Sequence, residues 1–146
     1  RAAEADFKYN NKERGFIINK IGDIFKPSRN KHRKKRWLPQ MTRQKIWEDL
    51  FLHIEFMKGL YPKSDGRLCR YCHKSWTYLT RKKNPGTPPT TRGTQHATNF
   101  AVDRFDAEFT YLPGNIVFCC SACNDRKHDS TPSDWKNFMR VLNEKT

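Results

Sequence analysis

The chain has 146 residues and a formal net charge of +14, with 29 lysines and arginines against 15 acidic residues and a sequence pI near 9.8. Only 36% of its residues are hydrophobic and the mean hydropathy is −0.96, which allows one modest core, while four Trp, ten Phe and five Tyr exclude wholesale disorder. The charge points to a polyanion, most simply nucleic acid, and the absence of any apolar run of about 18 residues excludes a membrane-spanning helix.

Residues 1–26 predict a short helix, a turn at Arg14-Gly15 and an apolar segment, "IINKIGDIF", whose type the pattern leaves open. Arg29, Lys31, Arg33, Lys34, Lys35 and Arg36 then crowd into eight residues ahead of Trp37. Such a run repels itself and stays out of a core. It reads as a solvated segment or localisation signal, or, given the charge of the whole chain, as an arm that follows a phosphate backbone while Trp37 stacks on an unpaired base. From Thr42, a candidate cap, Ile46, Trp47, Leu50, Phe51, Ile54 and Met57 recur at helical spacing up to Gly59, and predict the main core helix.

"YPKSDGRLCRYCHK" follows as a turn into a knuckle at Cys69 and Cys72, and the Pro/Gly/Thr-rich residues 80–95 read as a flexible connection with a second basic cluster at Arg81, Lys82, Lys83 and Arg92. Strand signals stand at "NFAVDR" (99–104) and "NIVFCC" (115–120), joined through a loop containing Pro113-Gly114. A helix is expected near Ser121, and a last one from Pro132, capped by Thr131, with Trp135, Phe138, Met139 and Leu142 on one face.

Four of the five cysteines form two Cys-x-x-Cys pairs, Cys69/Cys72 and Cys120/Cys123. Four thiolates are the ligand set of a structural Zn²⁺, and with residues 73–119 between the pairs the metal would staple distant segments together. The alternative is four small buried hydrophobes. Cys119 is the odd one, expected as a packed thiol on the other face of the strand. Cysteines in this pattern, with no visible secretory signal, suggest an intracellular protein of the nucleoid, nucleus or an organelle. The chain begins at Arg1 rather than Met, as a fragment or processed product would.

The stretch "VDRFDAEFTYLPGNIVFCCSACNDRK" resembles the HNH, or ββα-metal, endonucleases of the four-cysteine type, in whose variants an Asp-Arg pair replaces Asp-His. "NNKERGF" is faintly similar to their upstream segment, and Thr110 stands before Tyr111 where the family usually has glycine. The resemblance implies an α+β fold, a small zinc-stapled ββα-metal hairpin–helix core with additional flanking helices. It implies one HNH-like domain over 1–146, with an N-terminal helical and basic region at 1–61, the zinc-bound core at 62–130 and a C-terminal helix at 131–146.

It also implies roles. Asp103 and Asn124 would hold a catalytic Mg²⁺ or Mn²⁺, Asn115 would brace the hairpin loop, and Lys127 would sit near phosphate or cap the site. A hard divalent cation wants such oxygen ligands, and it polarises a phosphodiester. Taken singly, Asp103 reads as a strand-end turn residue and Asn124 as a local hydrogen-bonder. Arg104 stands where the family's usual base would be; its guanidinium stays protonated, so it can grip phosphate but cannot take a proton from water. His128, four residues after Asn124, is a third ligand, a nearby base or an exposed helix-end histidine; His53 reads as a core histidine, and His73, His96 and Tyr61 are weaker candidates. Two functions lead as expectations: a metal-dependent endonuclease hydrolysing DNA, with DNA ahead of RNA as the partner, or an inactive HNH-like nucleic-acid-binding protein, such as a basic zinc-binding subunit of a ribonucleoprotein like an organellar ribosome; a stand-alone zinc-ribbon adaptor is a distant third.

Overall fold

A computed structural model describes residues 10–26, 38–128 and 130–145, with side chains as far as residue 141. The run Arg29–Arg36 and the side chain of Leu142 lie outside the described residues. The fold is α+β: α1 (Asn11–Ile24), α2 (Arg43–Leu60), β1 (Phe100–Arg104), β2 (Ile116–Cys120), α3 (Ser121–His128) and α4 (Pro132–Lys145), with the two strands paired antiparallel. No described helix is long and apolar enough to cross a membrane.

The expected turn at Arg14-Gly15 is absent, because α1 runs straight through it. Asn10 caps the helix by accepting from the Glu13 amide at 2.9 Å, and Ile17, Ile21 and Ile24 form one buried stripe. Burying each such side chain contributes about 2 kcal/mol, more than the roughly 1 kcal/mol that glycine costs inside a helix. In α2 the Thr42 hydroxyl accepts from the Lys45 amide at 3.1 Å, and Ile46, Trp47, Leu50, Ile54 and Met57 face inward. This helix passes Gly59 and ends at Leu60. Gly66 lies beneath it with φ +81°, and a Cβ there would meet the Ile54 carbonyl oxygen at 2.3 Å, so only glycine fits.

The strand register sorts the hairpin's two faces. Phe100, Val102 and Phe118 point to the larger core with the α1 and α2 stripes and Trp76, while Ala101, Asp103, Val117 and Cys119 point to a second cluster with Cys69, Tyr71 and Trp135. A polar network ties α1 to the segment around Trp76: Arg67 grips the buried Glu13 carboxylate through Nε at 2.7 Å and NH2 at 3.2 Å, and the Tyr78 hydroxyl donates to it at 2.5 Å. Residues 80–95 are more ordered than their composition suggests, since they fold back through a bridge between Lys82 and Thr94. Thr131 caps α4 by accepting from the Asp134 amide, and Trp135 buries against Tyr71 with ring centroids 5.0 Å apart.

His53 belongs to the core: Nε2 donates to the Leu68 carbonyl at 2.7 Å and the ring stacks on Trp76. Burial lowers its pKa to about 4, from an ordinary value of about 6.5. Below pH ~6.5 the unfolded chain takes up a proton that the folded chain refuses, so this group's contribution is intact above that pH and is lost as the pH falls towards 4. Between pH 7 and pH 5 the wild type should lose about 2 kcal/mol more stability than His53→Gln, which keeps the donor without the titration. Urea melts of both proteins at the two pH values check this, and parallel losses would contradict it.

Candidate metal centre and the adjoining cleft

The Sγ atoms of Cys69, Cys72, Cys120 and Cys123 all lie within 4.8 Å of one another. Cys72 and Cys120 are 3.9 Å apart, close to the ~3.8 Å edge of a tetrahedron of sulfurs bonded at ~2.3 Å to zinc. Local structure aims all four. The first pair sits on a tight knuckle, where the amides of Tyr71 and Cys72 point at the Cys69 sulfur at 3.4 Å and His73 turns back with φ +62°. The second pair spans the end of β2 and the first turn of α3, whose leading amides at Ser121 and Ala122 are satisfied by the carbonyls of Asn99 and Ala97. Hydrogen bonds within the cluster, first of all with Cys120, hold the Cys72 thiol below its ordinary range and push Cys69 up. Four sulfurs this close form a donor set that fits a metal ion such as zinc. Cys119 stays outside the cluster, buried with its sulfur 3.8 Å from the Ala101 carbonyl.

Beside this centre a cleft of about 290 Å³ opens along β1, lined among others by Lys20, Asp103, Arg104, Tyr111, Asn124 and His128. Asp103 is 3% exposed. Its Oδ2 accepts from the Tyr71 hydroxyl and from Lys127 Nζ, both at 2.8 Å, and Lys127 also donates to the Arg104 carbonyl. The other oxygen, Oδ1, lies 3.5 Å from His128 Nε2. Burial and then the Asp103 charge raise the Tyr71 pKa, so the phenol remains a donor. Two buried side-chain polar atoms among the described residues lack a partner, His73 Nε2 and Asn124 Oδ1, and Asn124 is the one that lines the cleft. An amide oxygen left bare in the interior costs roughly 1–3 kcal/mol, which a ligand on it would recover.

The structure therefore brings Asp103, Asn124, His128, Lys127 and Arg104 together. Asn115 lies behind them, its Oδ1 accepting from the Asp106 amide at 2.7 Å and its Nδ2 donating to the Thr110 carbonyl at 2.9 Å, so that it braces the hairpin loop. Arg104 NH1 donates to the Ala107 and Phe109 carbonyls of the same loop. Thr110 is buried and donates to the Leu38 carbonyl at 3.0 Å, a long-range tie that glycine could not make. The Tyr61 hydroxyl meets His73 Nδ1 at 2.6 Å, and neither residue, nor His53 or His96, lines the cleft.

Sequence reasoning missed Tyr71, whose only signal was its place between two metal-type cysteines, and Asn99, a fully buried amide that accepts from the Leu79 amide and the Thr77 hydroxyl. No family model, curated protein or solved structure matches the chain.

Proposed function

We propose that the chain is a metal-dependent endonuclease of the HNH, or ββα-metal, type, hydrolysing phosphodiester bonds in DNA over a structural zinc. The observation that carries this reading is the unpartnered, buried Asn124 Oδ1 on the same cleft as Asp103 Oδ1, with His128 one helical turn further along α3. Two hard oxygens and an imidazole are a donor set for Mg²⁺ or Mn²⁺. A cation held there would act as a Lewis acid on the phosphoryl oxygen and ease ionisation of water.

The chain's own residues prepare that site. Tyr71 and Lys127 hold Oδ2 of Asp103 and so fix the direction of Oδ1. Arg104 brings its guanidinium to the cleft, tied to the loop carbonyls, where it would stabilise charge developing on phosphate. A second reading, an inactive nucleic-acid-binding scaffold, is favoured by the ion pair that Lys127 makes with Asp103, which already neutralises the carboxylate.

Nicking of supercoiled plasmid with Mg²⁺, with Mn²⁺ and with EDTA separates the two. The nuclease reading expects metal-dependent cutting, and clean binding without cutting favours the scaffold. Arg104→Lys should retain DNA binding but lose roughly 10- to 100-fold in cutting rate, because a point charge cannot span two carbonyls and a phosphate. An unchanged rate would remove Arg104 from the mechanism.

A further inference from the structure

We propose that the DNA backbone leaves the Asp103 cleft along the outer side of α1, over a phosphate track formed by Lys12, Lys20, Arg81 and Arg92. Lys20 and Asp23 line both the cleft and a neighbouring groove of about 380 Å³, whose other cations are Lys12, Arg81 and Arg92. Arg92 also lines the next recess, beside Lys26 and Arg43. Lys20 and Asp23 thus stand where the cleft adjoins the groove, and Arg92 where the groove adjoins the next recess.

Among the described residues, basic side chains outnumber acidic ones along it: Asp23 is the one acidic group lining the groove, and it is paired with Lys26 at 2.7 Å. Burial and then the nearby Arg92 charge lower the pKa of Arg81, whose NH1 is anchored on the Gly93 carbonyl. The folded-back 80–95 loop thus sets both guanidiniums on the groove, and a Cβ at Gly93 would strike the Lys82 carbonyl at 2.5 Å, so the loop is built to this shape. Like charges held on an ordered loop are relieved by a bound anion. From Lys12 to Lys20 the helix spans about 12 Å, roughly three steps of duplex at ~3.4 Å each. Cations spread over that length suit a sugar–phosphate backbone better than a single phosphate.

The track rests on the DNA partner of the reading above, but not on cutting. Its test is fluorescence anisotropy of a labelled DNA duplex against the full, zinc-loaded chain over a range of KCl concentrations, without Mg²⁺. Lys20→Gln/Arg92→Gln should flatten the plot of log affinity against log salt by about two units, near 0.9 per lost phosphate contact. Lys45→Gln/Lys58→Gln, which removes two cations of α2 that line neither the cleft nor the groove, should leave the slope close to wild type. An unchanged slope in a Lys20/Arg92 variant that keeps its zinc and its melting temperature overturns the track, as does a wild type with no affinity for DNA. If the double variant fails to fold, Arg92→Gln alone decides, with a loss of about one unit expected. A labelled RNA duplex forms a second arm: a slope loss with RNA but none with DNA overturns the assignment to DNA. If the slope falls as expected while the wild type cuts nothing, the track stands and the nuclease reading fails.

Discussion

Cys123→Ser should leave a chain that cannot hold its fold. The four sulfurs tie the knuckle at 69–72 to the end of β2 and the start of α3, a junction otherwise crossed by the Arg70 amide on the Phe118 carbonyl and by the Tyr71–Asp103–Lys127 bonds. A structural zinc can supply on the order of 10 kcal/mol, against a total stability of about 5–15 kcal/mol for a domain, so removing one ligand takes away most of the margin. Cys69→Ser should behave in the same way, and chelation should reproduce both effects in the wild type. Cys119→Ser is the control: its sulfur is buried outside the cluster, and the change should cost only about 1–3 kcal/mol while the zinc stays. Elemental analysis with circular-dichroism melts reads all of these. About one zinc per folded chain is expected, and a folded protein without metal would overturn the staple.

Asp103→Asn should lose cutting by roughly 10³-fold or more while DNA affinity changes little. The carboxylate is the anionic donor of the proposed cation site, and catalytic electrostatics are carried by few groups, whereas affinity is spread over many phosphate contacts. The amide is the better replacement than alanine, because it keeps an acceptor for the Tyr71 hydroxyl, whereas Asp103→Ala strands that hydroxyl and leaves Lys127 with the Arg104 carbonyl alone of its two partners. Some destabilisation is still expected from the lost charge opposite Lys127, about 1–3 kcal/mol, so the comparison is made at a temperature where both proteins are folded. A variant that binds and folds but does not cut would separate the oxygen's catalytic role from its structural one.

Much of this architecture was legible because the signals were local or periodic. The 3- and 4-residue spacing from Ile46 to Met57 marked α2, Thr42 marked its start, and alternation with turn residues marked β1 and β2. The cysteine pairs announced a cluster because metal chemistry fixes their spacing. The failures have physical causes. Arg14-Gly15 suggested a turn, yet the Ile17, Ile21 and Ile24 stripe, reaching a core built by α2 and the hairpin, outweighed one glycine. The 80–95 loop looked flexible by composition, and its order depends on a pairing between Lys82 and Thr94 that no local pattern announces. Likewise, the partners of Glu13 stand 54 and 65 residues away, and the Tyr71–Asp103 bond spans 32 residues, so neither could be read before the chain was folded. At the candidate site the residue types were visible, but the bare oxygen of Asn124 and the paired state of Asp103 were not.

The most direct test of the central claim is a side-by-side nicking assay of supercoiled plasmid by wild type and Asp103→Asn, matched for zinc content, with Mg²⁺ and then with Mn²⁺. The expected result is cutting by the wild type that requires the added cation and is lost in the variant; a wild type that cuts no better than Asp103→Asn under either metal would contradict the assignment of Asp103, Asn124 and His128 to a catalytic cation site.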